Sequence, residues 1–173
     1  MSDQLIFPVA ELLQKQQGTK EEYEIDADLE DAEDLKLKKN VKAKVALTEL
    51  HNDVHVEIKD LDTSVEGNCN KCLKNYSQNI KISLIEREFL FEEPENMEDP
   101  DGFCMIDKKE MTVDLTEVLR QEILLHFPLI PVCSKGCKGL CPKCGIDLNK
   151  KQCDCKPEDP DDQKPLAILK QFK

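Results

Sequence analysis

The spacing of nine cysteines constrains this chain more than any other feature. Cys69 and Cys72 form a C-x2-C pair. Cys133, Cys137, Cys141, Cys144, Cys153 and Cys155 crowd into a stretch of 23 residues, and Cys104 stands alone. A disulfide-stapled scaffold spreads its cysteines along the chain. Clustered pairs with one left over point instead to reduced thiols that bind metal, and so to a cytoplasmic protein. The first residues, MSDQLIFPVAELL, lack the basic start and apolar core of a signal peptide. No apolar run approaches the ~20 residues that cross a bilayer.

The strongest motif is G-L-C-P-K-C-G, residues 139–145. A C-x2-C turn sets two thiolates about 3.8 Å apart on one ion, each ~2.3 Å from it, with backbone amides aimed at the sulfurs. Gly145 supplies the positive φ with which such a turn ends. Cys153 and Cys155 make a C-x-C whose side chains share one face of extended backbone. Cys141, Cys144, Cys153 and Cys155 are therefore a candidate four-thiolate site. Cys133 and Cys137 with Cys69 and Cys72 would make a second, leaving Cys104 over. With a single ion, the knuckle's partners are either Cys133 and Cys137 or Cys153 and Cys155. The expected cofactor is thus Zn2+, as one or two structural ions.

All-cysteine coordination fits a closed structural ion rather than an open catalytic one. His51 and His55 fall at a turn and on the polar face of a strand, and His126 ends an apolar helix. His55 and Glu57 form an H-x-E with no third ligand nearby in sequence. A thioredoxin-like redox centre needs a helix after its pair, whereas a strand pattern follows Cys72. Cys104, beside an acidic loop, is expected to have a raised pKa and to be no nucleophile. No nucleophilic triad, phosphate-binding Gly-rich loop or paired carboxylates in an apolar setting stand out. The chain reads as a non-enzyme.

At 173 residues the length allows one domain with a small appendage. Aromatic content of 5% implies a core of Leu, Ile and Val. Residues 8–17 read as a short helix, with Pro8 in its first turn and Gly18 ending it. Tyr23, Ile25, Ala27 and Leu29 alternate as a half-buried strand, followed by an acidic loop. Val41, Ala43, Val45 and Leu47 mark the next strand. After a turn at His51-Asn52-Asp53, Val54, Val56 and Ile58 mark a third, forming a hairpin. Residues 63–68 form a strand end leading into Cys69. Residues 77–91 read as a long strand, with Ile80, Ile82 and Leu84 on one face and Ile85, Phe89 and Phe91 on the other. A bulge, or burial on both faces near Leu84, reconciles them. Residues 92–102 form an acidic loop. A helix over 115–126 takes Asp114 as N-cap and Glu117 as the reciprocal partner of a capping box. A last helical turn is expected over Leu166 to Phe172. The fold class is α+β, an antiparallel β-rich body with few short helices. The expected organisation is a body over 1–132, a zinc-binding segment over 133–156 and a short tail over 157–173.

Thirty-six acidic residues against 24 basic ones leave a net charge of −12. That balance opposes broad binding to nucleic acid. Residues 133–156 run the other way: Lys135, Lys138, Lys143, Lys150, Lys151 and Lys156 face only Asp147 and Asp154. This island is +4, or about +2 once a tetrathiolate zinc is counted. Its lysines are candidate phosphate contacts. With only two arginines in the chain, base reading is disfavoured. The acidic body suits a basic protein partner. No small-molecule substrate and no membrane are expected.

Taken together, the motifs resemble the large ribosomal RNA subunit accumulation (YceD) family. G-N-C-N-K-C-L, residues 67–73, is similar to the family's C-x-R-C-L element, with Lys71 where many relatives carry arginine. Residues 113–128, VDLTEVLRQEILLHFP, resemble its acid-capped helix running into proline. The Cys133–Cys155 region resembles the cysteine-rich ending of one branch, and Asp159-Pro160 with Leu166–Leu169 resembles the closing segment. The resemblance runs through nearly the whole chain. It implies a non-enzymatic bacterial factor in the synthesis, processing or stability of 23S ribosomal RNA, acting in ribosome biogenesis. The competing class is a zinc-stabilised adaptor for a basic ribosomal protein, without direct RNA binding. Some relatives lack the G-L-C-P-x-C-G knuckle, so its metal is not required of every member.

Overall fold

The computed structural model describes residues 3–29, 35–51, 53–92 and 104–155. Among them lie strands β1 (Ile6–Pro8), β2 (Lys20–Ala27), β3 (Leu37–Leu50), β4 (Asp53–Asn68), β5 (Asn75–Leu90), β6 (Cys104–Met105) and β7 (Thr112–Asp114), and one α-helix, α1 (Thr116–His126). The alternating apolar pattern builds one sheet in the order β2-β3-β4-β5-β6. β2 to β5 form an antiparallel meander, whereas β6 pairs with β5 in parallel, Phe89 opposite Cys104. The expected antiparallel body therefore holds for four strands, and the sheet as a whole is mixed.

One face of the sheet is dry. Ile25, Val41, Val45, Leu47, Val56, Ile58, Ile82 and Phe89 are buried there, in one cluster with Leu119 and Ile123 of α1. The other face carries Lys20, Glu57, Lys59, Lys42 and Asp26, joined in ion pairs across the strands and, for Lys59 with Glu57, along β4. This is the alternation expected of a sheet solvated on one side.

β4 and β5 change their buried parity together. Val54, Val56 and Ile58 point inward, then Leu61, Thr63 and Val65. Asp60 between them has φ 55°. Opposite, Ile80 and Ile82 give way to Ile85 and Phe89, and Leu84 is exposed. Both strands skip one step, so their register continues unbroken. β3 does not skip and shifts register against β4 between Lys42 and Lys44. The bulge expected near Leu84 thus lies on β4 at Asp60, and β5 follows it.

Residues 8–17 form no α-helix. β1 pairs with β7, the Val9 N–H donates to the Met111 carbonyl at 2.9 Å, and only Leu12–Gln14 make a 3-10 turn. Val9 and Leu12 are buried as the apolar stripe requires. Pairing with β7 takes the start of the segment and leaves a single turn, closed by the Leu13 N–H on the Val9 carbonyl, where so short a helix is only marginal alone.

α1 begins one residue later than expected. The Asp114 carboxylate accepts the Thr116 N–H at 2.8 Å, so it caps the first turn from the end of β7. Glu117 does not reach back. It binds Arg120 through two hydrogen bonds, at 2.7 and 2.6 Å. Buried Glu122 pairs with Arg87 of β5, which fixes the helix on the sheet. The loop expected over 92–102, except its first residue, and the segment 156–173 lie outside the described residues.

Candidate metal centres

β4 and β5 stay paired out to Asn68 and Asn75, which puts Cys69–Lys74 at the tip of a long hairpin. The turn closes with Cys69 N–H on the Lys74 carbonyl and Leu73 N–H on the Cys69 carbonyl. The chain leaving α1 is steered to this tip. The Phe127 ring lies where a side chain on Gly67 would stand, 2.9 Å from its Cβ position. The Asn70 N–H then donates to the Pro131 carbonyl at 2.8 Å. Cys133 and Cys137 arrive beside Cys69 and Cys72 as a result.

In this first quartet the sulfurs of Cys69 and Cys137 are 3.8 Å apart, and those of Cys72 and Cys133 3.7 Å. All four lie within 4.8 Å of one another, and Cys69 is fully buried. Four sulfurs ~2.3 Å from a tetrahedral ion stand about 3.8 Å apart. The spacing fits such an ion. Backbone amides already serve the sulfurs: that of Cys133, helped by those of Cys72 and Lys71, pulls the Cys69 thiol down to about 6. The Lys74 amide favours the Cys72 thiolate, but burial and the sulfurs of Cys69, Cys137 and Cys133 outweigh it and push Cys72 up to about 12.

The second quartet, Cys141, Cys144, Cys153 and Cys155, also falls within 4.8 Å. Here the Cys144 and Lys143 amides pull Cys141 down to about 6. Contact with Cys144, then burial and Cys153, push Cys155 up to about 12. In each quartet the turn prepares one thiolate, while crowding disfavours full ionisation. A divalent cation removes that conflict, so filling either site releases protons. Cys144 is exposed, whereas no member of the first quartet is. Two clusters of four thiols, each able to hold a metal ion, are therefore present.

The quartets are tied to each other through backbone. The Leu140 N–H donates to the Lys71 carbonyl at 2.9 Å, and the Leu148 N–H to the Gly139 carbonyl at 2.9 Å. Gly139 has φ 76°, and a Cβ on it would stand 2.9 Å from that Lys71 oxygen. Asn149 completes the link. Its Oδ1 accepts the Lys138 N–H at 2.8 Å, and its Nδ2 lies 3.5 Å from the Cys137 sulfur. Sequence reading missed this role. The D-x-N of Asp147 and Asn149, where the Asn149 N–H bonds the Asp147 carboxylate at 2.9 Å, was the available signal.

Of the candidate lysines, Lys135, Lys138, Lys143, Lys150 and Lys151 are all exposed, and the hairpin tip adds exposed Lys71 and Lys74. Lys156 lies outside the described residues. These seven lysines face Asp147 and Asp154, and each filled quartet contributes two negative charges, which leaves one net positive charge. The second quartet thus trims the expected surplus. Attraction for an anion rests on individual side chains, not on a strongly basic module.

No histidine belongs to either quartet. His51 is exposed and meets Gln17, and His126 Nδ1 lies 2.8 Å from the Glu122 carbonyl. His55 and Glu57 gain a third neighbour, Glu86 of β5, from across the strand. Glu57 is already engaged by Lys20 at 3.0 Å and Lys59 at 3.1 Å, so one of the trio's carboxylates is occupied by lysines. Cys104 beside β5 has its thiol pushed up by burial, against an opposing pull from Arg87. β5, not a helix, follows Cys72, which disfavours a thioredoxin-like pair.

A mixed β-sheet body with one α-helix among the described residues and two clustered thiol quartets is thus the class of molecule at hand. A protein-family model described as "Large ribosomal RNA subunit accumulation protein YceD" matches residues 59–173, and the chain belongs to that family. The match covers 115 of 173 residues rather than nearly all, since residues 1–58 fall outside it. Among curated proteins, the chain is 39% identical over 49 residues (28% of its length, 15% of the relative's) to the Arabidopsis thaliana chloroplastic "Large ribosomal RNA subunit accumulation protein YCED homolog 1". The Zea mays protein of the same name is 40% identical over 55 residues, 31% of this chain and 19% of its own. An uncharacterized protein of Mycobacterium tuberculosis is 32% identical over 87 residues, 47% of this chain and 39% of its own. The chain thus spans well under half the length of these relatives. No solved structure matches. No helix among the described residues is long and apolar enough to cross a membrane.

Proposed function

We propose that the chain is a non-enzymatic factor supporting accumulation of large-subunit (23S) ribosomal RNA during ribosome biogenesis in a bacterial cytoplasm. Family membership is the observation that carries this reading. The two quartets hold structural Zn2+, since four closed thiolate ligands suit that ion and leave no open position for a substrate. Residues 133–156 act as a metal-held segment docked on the hairpin tip of a body over 1–132. Lys135, Lys138, Lys143, Lys150 and Lys151, joined by Lys71 and Lys74, meet RNA phosphates as point charges.

Depletion followed by ribosomal RNA and subunit profiling tests the role. Large-subunit RNA is expected to fall relative to small-subunit RNA, and unchanged levels would refute it. The acidic balance of the remaining surface favours a second reading, an adaptor that binds a basic ribosomal protein and reaches RNA only through it. Direct contact predicts affinity for a large-subunit RNA transcript that drops steeply with salt and on changing Lys138 and Lys143 together to glutamate. An adaptor predicts no such affinity, but a stable complex with the basic protein.

A further inference from the structure

The two C-x2-C turns close in the same way. In the first, the Leu73 N–H donates to the Cys69 carbonyl at 2.8 Å and the Cys69 N–H to the Lys74 carbonyl at 2.9 Å. In the second, the Gly145 N–H donates to the Cys141 carbonyl at 2.9 Å and the Cys141 N–H to the Ile146 carbonyl at 2.9 Å. Leu73 and Gly145 therefore hold equivalent places, and both have positive φ, 58° and 70°. Glycine takes that conformation freely, whereas an L-residue is disfavoured in it by roughly five- to thirtyfold. Burial or a side-chain hydrogen bond could offset such a cost. Leucine has no polar side-chain atom, and Leu73 is 68% exposed. Nothing in the turn itself favours leucine over glycine, and strained residues of this kind gather at ligand contacts.

The charge beside Leu73 points to the class of ligand. Residues 67–75 hold two lysines, Lys71 and Lys74, and no acid, in a chain of net charge −12. Both lysines are exposed, two residues before Leu73 and one after it. What fits is an anion that also has an apolar face. Unpaired RNA offers both, as phosphate oxygens and splayed bases. The lysines of this region retain little surplus charge once both quartets are filled, so an apolar contact adds affinity that they do not supply.

We propose that Leu73 packs on the face of an unpaired RNA base while Lys71 and Lys74 meet the flanking phosphates. Leucine is among the apolar side chains that wedge against bases. This rests on the RNA-contact reading and gives it a base contact where the lysines reach only backbone. The contact is to a base face, so it reads no sequence.

The test measures binding of the full zinc-loaded chain to a large-subunit RNA transcript at several salt concentrations. Leu73→Gly is expected to weaken binding about five- to tenfold, as loss of a buried leucine contact requires. The factor should be the same at every salt concentration, because no charge is removed. Lys71→Gln with Lys74→Gln should instead flatten the salt dependence. Leu73→Met, which stays apolar, should bind within about twofold of the parent. Amide exchange at position 73, read by NMR, separates contact from fold. Leu73→Gly relieves the positive φ, so its turn should open no more often than the parent's. Faster exchange there would assign Leu73 a structural role and overturn the proposal. Equal affinity of Leu73→Gly and parent would overturn it too, and leave a protein as the partner that Leu73 meets. A parent without affinity for the transcript would overturn the RNA-contact reading itself, so the two failures are distinct.

Discussion

Replacing Gly139 by alanine sets two costs at a single position. The first is conformational. Gly139 has φ 76°, where an L-residue is disfavoured by about 1 kcal/mol or more. The second is steric. The new Cβ would stand 2.9 Å from the Lys71 carbonyl oxygen, which belongs to backbone and accepts the Leu140 N–H at 2.9 Å. Relief requires the strands of this crossing to part, which gives up a hydrogen bond worth about 1 kcal/mol. The sum is about 2–3 kcal/mol, a rise of roughly 30- to 150-fold in local opening. Two other glycines separate the costs. Gly145 has φ 70° but nothing within 4 Å of its Cβ position, so Gly145→Ala carries the conformational cost alone. Gly136 has nothing within 4 Å and no positive φ, so Gly136→Ala should be near neutral. The assay is amide hydrogen exchange at Leu140 and Leu148, read by NMR for each variant against the parent. Exchange in Gly139→Ala no faster than in Gly145→Ala would refute the claim that the Lys71 crossing locks the cysteine-rich segment to the hairpin.

Three other outcomes are expected. Elemental analysis of the untagged protein should find two zinc ions per chain. A chelator should then remove them in two phases, the exposed second quartet first; Cys144→Ser should abolish only the fast phase, and a single phase that Cys144→Ser leaves intact would contradict the assignment. Leu119→Ala removes a fully buried side chain between α1 and the sheet. It should cost about 2–5 kcal/mol in urea unfolding, and a loss below 1 kcal/mol would show that α1 does not pack there as described. Hydrogen bonds from Lys39 and then Lys81 hold the Asp62 carboxyl below its ordinary range. A depressed folded pKa gives stability that is present above the unfolded value, ~3.9, and is lost as pH falls through the folded one. Carboxyl carbon NMR should show Asp62 titrating below that value and moving up in Lys39→Ala.

The strands and the quartets differed in how far the sequence revealed them, for physical reasons. Period-two alternation reports directly on a sheet with one wet face, so Val41 to Leu47 and Val54 to Ile58 were legible as buried rows. The switch to Leu61 and Val65 was not, because a bulge resets the alternation without altering composition. Residues 8–17 misled because Val9 and Leu12 must be buried in either conformation, and the choice was made by β7, whose Thr112 stands opposite Pro8. His55 and Glu57 gained Glu86 through register, which spacing along one strand does not encode. The four-plus-four division of the cysteines was visible as arithmetic. The pairing of Cys69 and Cys72 with Cys133 and Cys137 depended on where α1 delivers the chain, which Gly67, Phe127 and Pro131 decide.

That delivery makes the two quartets unequal in consequence. The first joins segments 61 to 68 positions apart and is buried at the hairpin tip, so its ion closes a long loop of the unfolded chain. The second gathers residues at most 14 positions apart and is part exposed, so its ion organises only its own turn. Loss of the second ion should therefore disturb the lysines around Cys144 while the sheet persists. Loss of the first should free residues 133–155 from the hairpin tip and separate their lysines from Lys71 and Lys74.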